Sequence, residues 1–241
     1  MASVAEHYDQ TLAEIYSWMH GGFNAGIQKN IAFFKPELFA PKSSGIALDL
    51  GAGCGFQSIP LAKLGYSIIA IDLNSKLLAE LQKQAGNLPI QLVQDDLLNF
   101  SQTVNDNLEL VVCMTDTLLH LETKEQVALL FSKVFSALEP GGQFVMSFRD
   151  LSKTLEGTDR FLPIRSEKNC ILSCFLEYEL ETVKVYDIIY RYQNANWKLY
   201  KSFYHKLRVS QDWMVEQLTQ SGFKKLNPTT EAGFVTITAS K

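Results

Sequence analysis

Between Ile46 and Asp150 the chain alternates short, almost wholly apolar runs with stretches of helical spacing, and few architectures accommodate that rhythm. The apolar runs "IALDL", "SIIAIDL", "IQLVQDD", "LELVVCM" and "QFVMSFRD" read as strands. Between them lie "FQSIPLAKLG", a helix closed by a glycine cap, and "NSKLLAELQKQAG", with Asn74 or Ser75 at its N-cap. The segment "KEQVALLFSKVFSALEPGG" is the last of these helices. Strands separated by helices pair in parallel through right-handed crossovers. Runs this apolar need cover on both faces of the sheet. The expectation is an α/β chain with a doubly wound, mostly parallel sheet and helices on both sides.

The rhythm changes after Asp150. Residues 151–167 read as loop, and three aromatic and β-branched strands follow: "NCILSCFLEYEL", "TVKVYDIIYRYQ" and "NWKLYKSFYHKLRV". "QNAN" between the last two signals a hairpin. Strands in direct succession make an antiparallel sheet, so 151–207 is expected to form a small antiparallel β insert after the fifth strand. Strand alternation puts Tyr186, Tyr190 and Tyr192 on one face, and Tyr200, Tyr204 and Lys206 on one face. Such side chains either pack the insert onto the core or roof a pocket. Then "SQDWMVEQLTQSGF" is a helix capped by Ser210 and ended by Gly222, and "KKLNPTTEAGFVTITASK" supplies two final strands, for seven in the main sheet. Residues 41–150 and 208–241 thus form the core. Residues 1–40 read as helical pieces broken at Gly21-Gly22, with Tyr8, Tyr16, Trp18 and Phe23 either packing on the core or walling a pocket as a lid.

Composition narrows the function classes. The chain has 241 residues, 46% hydrophobic and 20% charged, with a net charge of -4. No basic block marks a nucleic-acid footprint. Cys54, Cys113, Cys170 and Cys174 form no C-x-x-C pair, and no histidine stands at metal-ligand spacing, so a reduced, cytoplasmic chain without a metal is expected. "MASVAEHYDQ" has no basic or apolar signal region, and no run approaches the roughly 18 apolar residues of a membrane span.

"ALDLGAGCGF", 47–56, places glycines at 51, 53 and 55 directly after the first strand. A glycine-rich turn there lies at the ligand-binding edge of a parallel sheet, and glycine admits close backbone approach. Phe56 stands where dinucleotide enzymes need their third glycine, and no G-K-[ST] follows, so neither a G-x-G-x-x-G fingerprint nor a Walker A loop is present. The pattern is Asp49-x-Gly51-Ala52-Gly53-Cys54-Gly55. It resembles the first motif of class I S-adenosylmethionine-dependent methyltransferases of the small-molecule type, and the resemblance runs from Ala47 to Lys241. It implies a Rossmann-like core, S-adenosyl-L-methionine as cofactor, and Asp49, Gly51, Ala52, Gly53 and Gly55 beside it. A sulfonium ligand with an amino-acid tail needs backbone approach and nearby carboxylates rather than anion-binding amides.

The resemblance assigns the other strand ends too. Asp72, with Leu73 after it, would accept the ribose hydroxyls; an acid there also suits a helix N-terminus. Asp96, or its neighbour Asp95, would take the adenine amino group, with the Leu97 amide on a ring nitrogen. Met114 and Thr115 would lie against the cofactor and Asp116 near the transferred methyl. His120 can reach that site or simply pack. Arg149, at the end of the fifth strand, can hold a substrate carboxylate or phosphate, or pair internally. Tyr16 and Trp18 would wall the acceptor pocket, and the family's "W-x-x-x-x-x-F-Y-H-x-L-R" insert would cap it. No P-P-aromatic motif follows the fourth strand, which disfavours nucleobase amines. The expected activity is in-line methyl transfer to a small-molecule acceptor, with catalysis mainly by positioning, and with the catalytic group and oligomeric state open. The alternative is a noncatalytic binder of the cofactor or its demethylated product.

Overall fold

The apolar runs become strands because their alternate residues can be buried on both sides of one sheet. The computed structural model describes residues 4–104, 107–231 and 233–241. β1 (Ile46–Leu50), β2 (Ser67–Asp72), β3 (Ile90–Gln94), β4 (Leu108–Cys113) and β5 (Leu138–Arg149) pair in parallel. β6 (Phe161–Glu167), β7 (Cys170–Tyr178), β8 (Thr182–Gln193) and β9 (Asn196–Leu207) form a separate antiparallel sheet in that order. β10 (Lys224–Glu231) and β11 (Phe234–Ser240) return to the main sheet, whose order is β10-β11-β5-β4-β1-β2-β3. β11 runs antiparallel to both neighbours. This is the Rossmann-like, mostly parallel seven-stranded sheet expected.

Four short N-terminal helices precede β1: α1 (Val4–His7), α2 (Tyr16–Met19), α3 (Phe23–Phe33) and α4 (Pro36–Phe39), with a π turn at Tyr8–Leu12 and a 3-10 turn at Ala13–Ile15. α5 (Ser58–Leu64), α6 (Ser75–Ala85), α7 (Lys124–Ala137) and α8 (Gln211–Gln220) follow the strands. Gly65 closes α5 with a left-handed cap, and Asn74 accepts from the Lys76 and Leu77 amides to start α6. Ser210 does the same for α8 through Trp213 N. Ala47 of β1 joins a buried cluster with Ile27, Phe56, Ile59 and Leu77, whereas Leu48 and Leu50 join one with Phe131, Phe144 and Met214. One strand thus feeds both covered faces, as its unbroken apolarity requires.

Two expectations about the insert are corrected. Residues 161–167 are not loop but the edge strand β6, so the sheet has four strands. Pro163 hides it in the sequence, because proline is tolerated only at an edge or a bulge; here it sits at both, with a register shift before Arg165. Tyr186, Tyr190 and Tyr192 do share a face, but it points away from the core, with Tyr190 and Tyr192 exposed. The inward face carries Val183, Val185, Ile189, Tyr204 and Lys206, all buried. Asn194 and Ala195, both at positive φ, make the two-residue turn that fixes this register. Among the described residues no helix is long and apolar enough to cross a membrane.

Candidate active site

A cleft opens where β1, β2, β3 and β4 end. Its floor is the turn after β1. Gly51 has φ 74°, and an added Cβ would lie 2.4 Å from Thr117 Cγ2. Gly53 has φ 52°, and a Cβ there would meet only Tyr16 and Leu77, at 3.8 and 4.0 Å. The space over Gly53 is therefore open, so Gly53 answers to the left-handed backbone alone and Gly51 to that backbone and a close wall together. Gly55 serves packing instead: its Cβ would strike Leu81 of α6 at 2.2 Å.

Asp72 stands at the tip of β2. Its Oδ2 accepts from Gly53 N and its Oδ1 from Asn74 N, each at 2.8 Å, so it braces the glycine turn and opens α6 together. Burial raises its pKa against those two bonds. A carboxylate has about four lone-pair sites, so each oxygen keeps capacity for a further donor. At the tip of β3, Asp95 Oδ1 accepts from Asp96 N and Asn99 Nδ2, and Asp96 Oδ1 caps the turn Leu97–Gln102 through Leu98 N.

Asp49 lies under the turn rather than in the cleft. It is buried, Ser58 Oγ donates to its Oδ2 at 2.5 Å, and its Oδ1 has no partner. Burial pushes its carboxyl up to about 7, with Asp72 nearby adding to the rise and Ser58 opposing it. The folded chain then keeps a proton that the unfolded chain releases near pH 4, so ligand-free stability falls as pH rises from about 4 to 7 and levels above that. Asp49→Asn cannot titrate. Its melting temperature relative to the parent should climb between pH 5 and pH 8; a difference constant with pH would refute the buried, protonated carboxyl.

β4 ends in a strained corner. Thr115 and Asp116 both have positive φ, at 55° and 68°. Consecutive non-glycine residues there cost on the order of 1–3 kcal/mol each and persist only when their surroundings hold them. Ser147 of β5 holds the first, its Oγ accepting from Thr115 N at 2.9 Å, and the Ser147 carbonyl accepts from Asp116 N at 3.2 Å. The corner turns Thr115, Thr117 and His120 into the cleft. Asp116 turns the other way. Its Oδ1 accepts from Arg149 N at 2.7 Å and its Oδ2 from Lys206 Nζ at 2.6 Å, with Arg149 Nε at 3.6 Å. Burial acts to raise this carboxyl, but Lys206 and Arg149 together hold it below the ordinary range.

The remaining wall comes from the N-terminal segment and the insert. The Tyr8 hydroxyl lies 3.3 Å from His120 Nε2, and the Tyr204 ring packs 5.3 Å from His120 and 4.5 Å from His7. His7 is buried and donates from Nε2 to Asp187 Oδ2 of β8 at 2.8 Å. Burial, and then the nearby Lys206 charge, lower the His120 pKa to about 3, so this imidazole is neutral. Burial raises the Tyr8 phenol well above its usual value.

Of the residues expected from the sequence, Tyr16, Gly51, Gly53, Asp72, Leu73, Asp95, Asp96, Leu97, Thr115 and His120 line this one cleft. Asp49, Ala52, Gly55, Met114, Asp116 and Arg149 lie behind or beside it. Trp18 is turned away, 5.5 Å from the Arg165 guanidinium of β6. Val4, Ala5, Tyr8, Asn74, Leu77, Thr117 and Leu121 also line the cleft. Of these only Tyr8 carried a signal, as one of the recurring N-terminal aromatics. The free volume is about 140 Å3, below the roughly 300–1,000 Å3 of small-molecule sites, because Val4, Ala5, Tyr8 and Tyr16 lie over the floor. A wider, open depression of about 570 Å3, lined by Gly141, Gln143, Lys224 and Lys225 among others, sits at the opposite end of β5. It has none of the strand-end acids.

Comparison with known proteins points to the same region. Residues 47–142 match a family model described as a methyltransferase domain. A putative methyltransferase, YqeM of Bacillus subtilis (strain 168), is 33% identical over 113 residues, 46% of this chain and 45% of that one. The chain spans about half the length, or less, of the first curated relatives it matches. Among solved structures, SAM-bound CalS10, an amino pentose methyltransferase from Micromonospora echinaspora, superposes with a TM-score of 0.75 at 13% identity, over 95% of this chain and 96% of that one. The sugar N-methyltransferase KedS8 from Streptoalloteichus sp. gives 0.74 at 13% identity, over 100% and 97%.

Proposed function

We propose that this chain, whose residues 47–142 are a methyltransferase domain on the class I S-adenosylmethionine-dependent methyltransferase fold, transfers a methyl group from that cofactor to an amino group of a small molecule. The observation that carries the reading is the meeting, in one cleft, of an open glycine turn with acids at the tips of two successive strands.

The residues present fit the cofactor. The open side of Gly53 admits a ligand against backbone. Asp72 keeps acceptor capacity for vicinal hydroxyls, and Asp96 with Leu97 stands where the adenine would lie. Asp49, buried beneath the turn on Ser58, supports that floor from behind. When bound, the cofactor supplies a sulfonium methyl, an electrophile that needs no activation by acid. Residues 4–16 must shift outward to admit a ligand of that size, which makes this segment a lid, and the insert is the cap behind it.

The chain's own part is alignment and exclusion of water. Orientation alone can supply roughly 7–11 kcal/mol of a barrier. Tyr8, His120, Thr115 and Thr117 form the polar wall beyond the glycine turn, so the acceptor would lie there. His120 is neutral and too weak a base to ionise an alcohol or a phenol, and the Tyr8 phenol stays protonated. A neutral amine brings its own lone pair and asks only to be held. With Tyr8 shifted off it as the lid opens, His120 Nε2 would accept a hydrogen bond from the amine N–H, orienting the lone pair in line, and the proton leaves to solvent after transfer. An amine is also what the amino pentose enzyme of like fold acts on by name. The modest net charge of -4 and the lack of a basic block favour a small acceptor over nucleic acid.

Calorimetry should show S-adenosylhomocysteine binding with micromolar Kd, and a panel of amino sugars and amino acids at pH 8 should include one that gains 14 mass units, about one methylene. Binding of NAD in its place would overturn the cofactor, and binding without turnover on any amine would leave a sensor.

A further inference from the structure

His7 fills a seat that its own side chain does not complete. Its Nε2 lies 2.8 Å from Asp187 Oδ2, and its ring centre is 4.5 Å from that of Tyr204 and 6.3 Å from that of Tyr8. His7 is buried, yet its Nδ1 has no hydrogen-bond partner. Buried polar atoms are ordinarily paired, so the imidazole forgoes a bond by standing here. Asp187 is as thinly provided for. It is 3% exposed, and among the described residues its other oxygen accepts from the Cys174 thiol, a weak donor, at 2.8 Å. Lys206, buried on the same inward face of the sheet, is committed to Asp116 at 2.6 Å. No lysine or arginine stands among the described residues that line the cleft. When residues 4–16 shift outward for the cofactor, His7 goes with them. Asp187 is then a buried acid beside the Tyr204 ring, with no cation from the chain. A carboxyl next to an aromatic face is what an ammonium group binds.

We propose that Asp187 binds a second, protonated nitrogen of the methyl acceptor, so that the acceptor class is a diamine, and that the His7 imidazole keeps this seat in the ligand-free chain. The proposal rests on the methyl-transfer reading above. The Tyr204 ring lies against both subsites, 4.5 Å from His7 and 5.3 Å from His120. One nitrogen would stand at His120 Nε2 and the other at Asp187, with the carbon chain that joins them along that ring. An aliphatic amine, with a pKa of about 10, is protonated near neutral pH. Seated on Asp187 it keeps its proton and has no lone pair to alkylate. Its charge also lowers the proton affinity of the nitrogen at His120, which must be neutral to react. That nitrogen forms the N–C bond as the S–C bond breaks, and gives up its proton to solvent. A monoamine would leave Asp187 bare, and a buried group left unpaired is what rejects an analogue that lacks its partner.

The test compares α,ω-diaminobutane and α,ω-diaminohexane with n-butylamine and n-hexylamine on the full chain at pH 8. KM for one of the diamines should be at least about tenfold below that of the monoamine of the same length. Asp187→Asn should erase that ratio, through KM rather than kcat. His7→Ala should lower the diamine KM further, because the competitor for the seat is gone. A merely structural tie between the two residues would move both variants the same way. Binding is read separately from turnover. With S-adenosylhomocysteine present, millimolar diamine should raise the melting temperature of His7→Ala by more than that of the parent, and that of Asp187→Asn by no more than a monoamine does. A diamine that the parent binds and uses no better than its monoamine overturns the proposal, as do two variants that shift the diamine KM alike. A chain that does not bind S-adenosylhomocysteine in calorimetry, before any amine is added, overturns the methyl-transfer reading and this inference with it.

Discussion

Asp72→Ala should weaken S-adenosylhomocysteine binding by about 1.5–3 kcal/mol, roughly 10- to 150-fold in Kd by calorimetry. Two losses combine. On the proposed reading the ribose hydroxyls would lose a charged acceptor, and the Gly53 and Asn74 amides lose the carboxylate that shapes the floor of the cleft. Asp72→Asn separates them. It retains one acceptor oxygen and most of the local shape, so its loss should be smaller, about tenfold. An Asp72→Ala variant that is folded and binds as the parent does would remove the ribose contact and with it the orientation of the ligand.

Lys206→Met should be the most damaging single change to stability among the polar groups around the cleft. Lys206 and Asp116 are both buried, and the pair joins β9 of the insert to the strained corner after β4. Removing one partner of a buried pair strands the other charge and costs about 3–5 kcal/mol. Arg149 stays near Asp116, so about 3 kcal/mol is expected, or roughly 6–12 °C in Tm for a chain of this size. Adding Asp116→Asn should recover part of that, since asparagine tolerates positive φ and leaves no bare charge. The Asp116 carboxyl is depressed in the folded chain. Its contribution is therefore complete above the ordinary aspartate pKa of about 4 and is lost as pH falls through the folded value. The Tm gap between parent and Lys206→Met should hold from pH 8 to 5 and shrink only in stronger acid. A variant melting with the parent at pH 7 would refute the lock.

How much of this was readable beforehand depends on whether the signal is local. The parallel core was legible because burial on two faces writes itself as unbroken apolar runs, and the glycine turn because only glycine combines positive φ with so close a wall. Acids at strand ends follow once the strands are placed, which is why Asp72, Asp95 and Asp96 lie together in the cleft. β6 was lost to Pro163, whose tolerance at an edge cannot be told from a loop without the neighbouring strand. The hairpin's alternation was visible, but both faces are aromatic, so nothing local said which one turns inward. Lys206 and His7 carry no local mark at all. Their meaning comes from Asp116 and Asp187, 90 and 180 positions away.

That last separation bears on how the protein is made. His7 finds its carboxylate on β8 and the tilted ring of Tyr204 on β9, so α1 has no home until both strands are made. The parallel strands can assemble meanwhile, leaving the opening stretch unplaced beside them. The wall that narrows the cleft is thus made well before the strands that hold it, and is set by a closure across 180 positions.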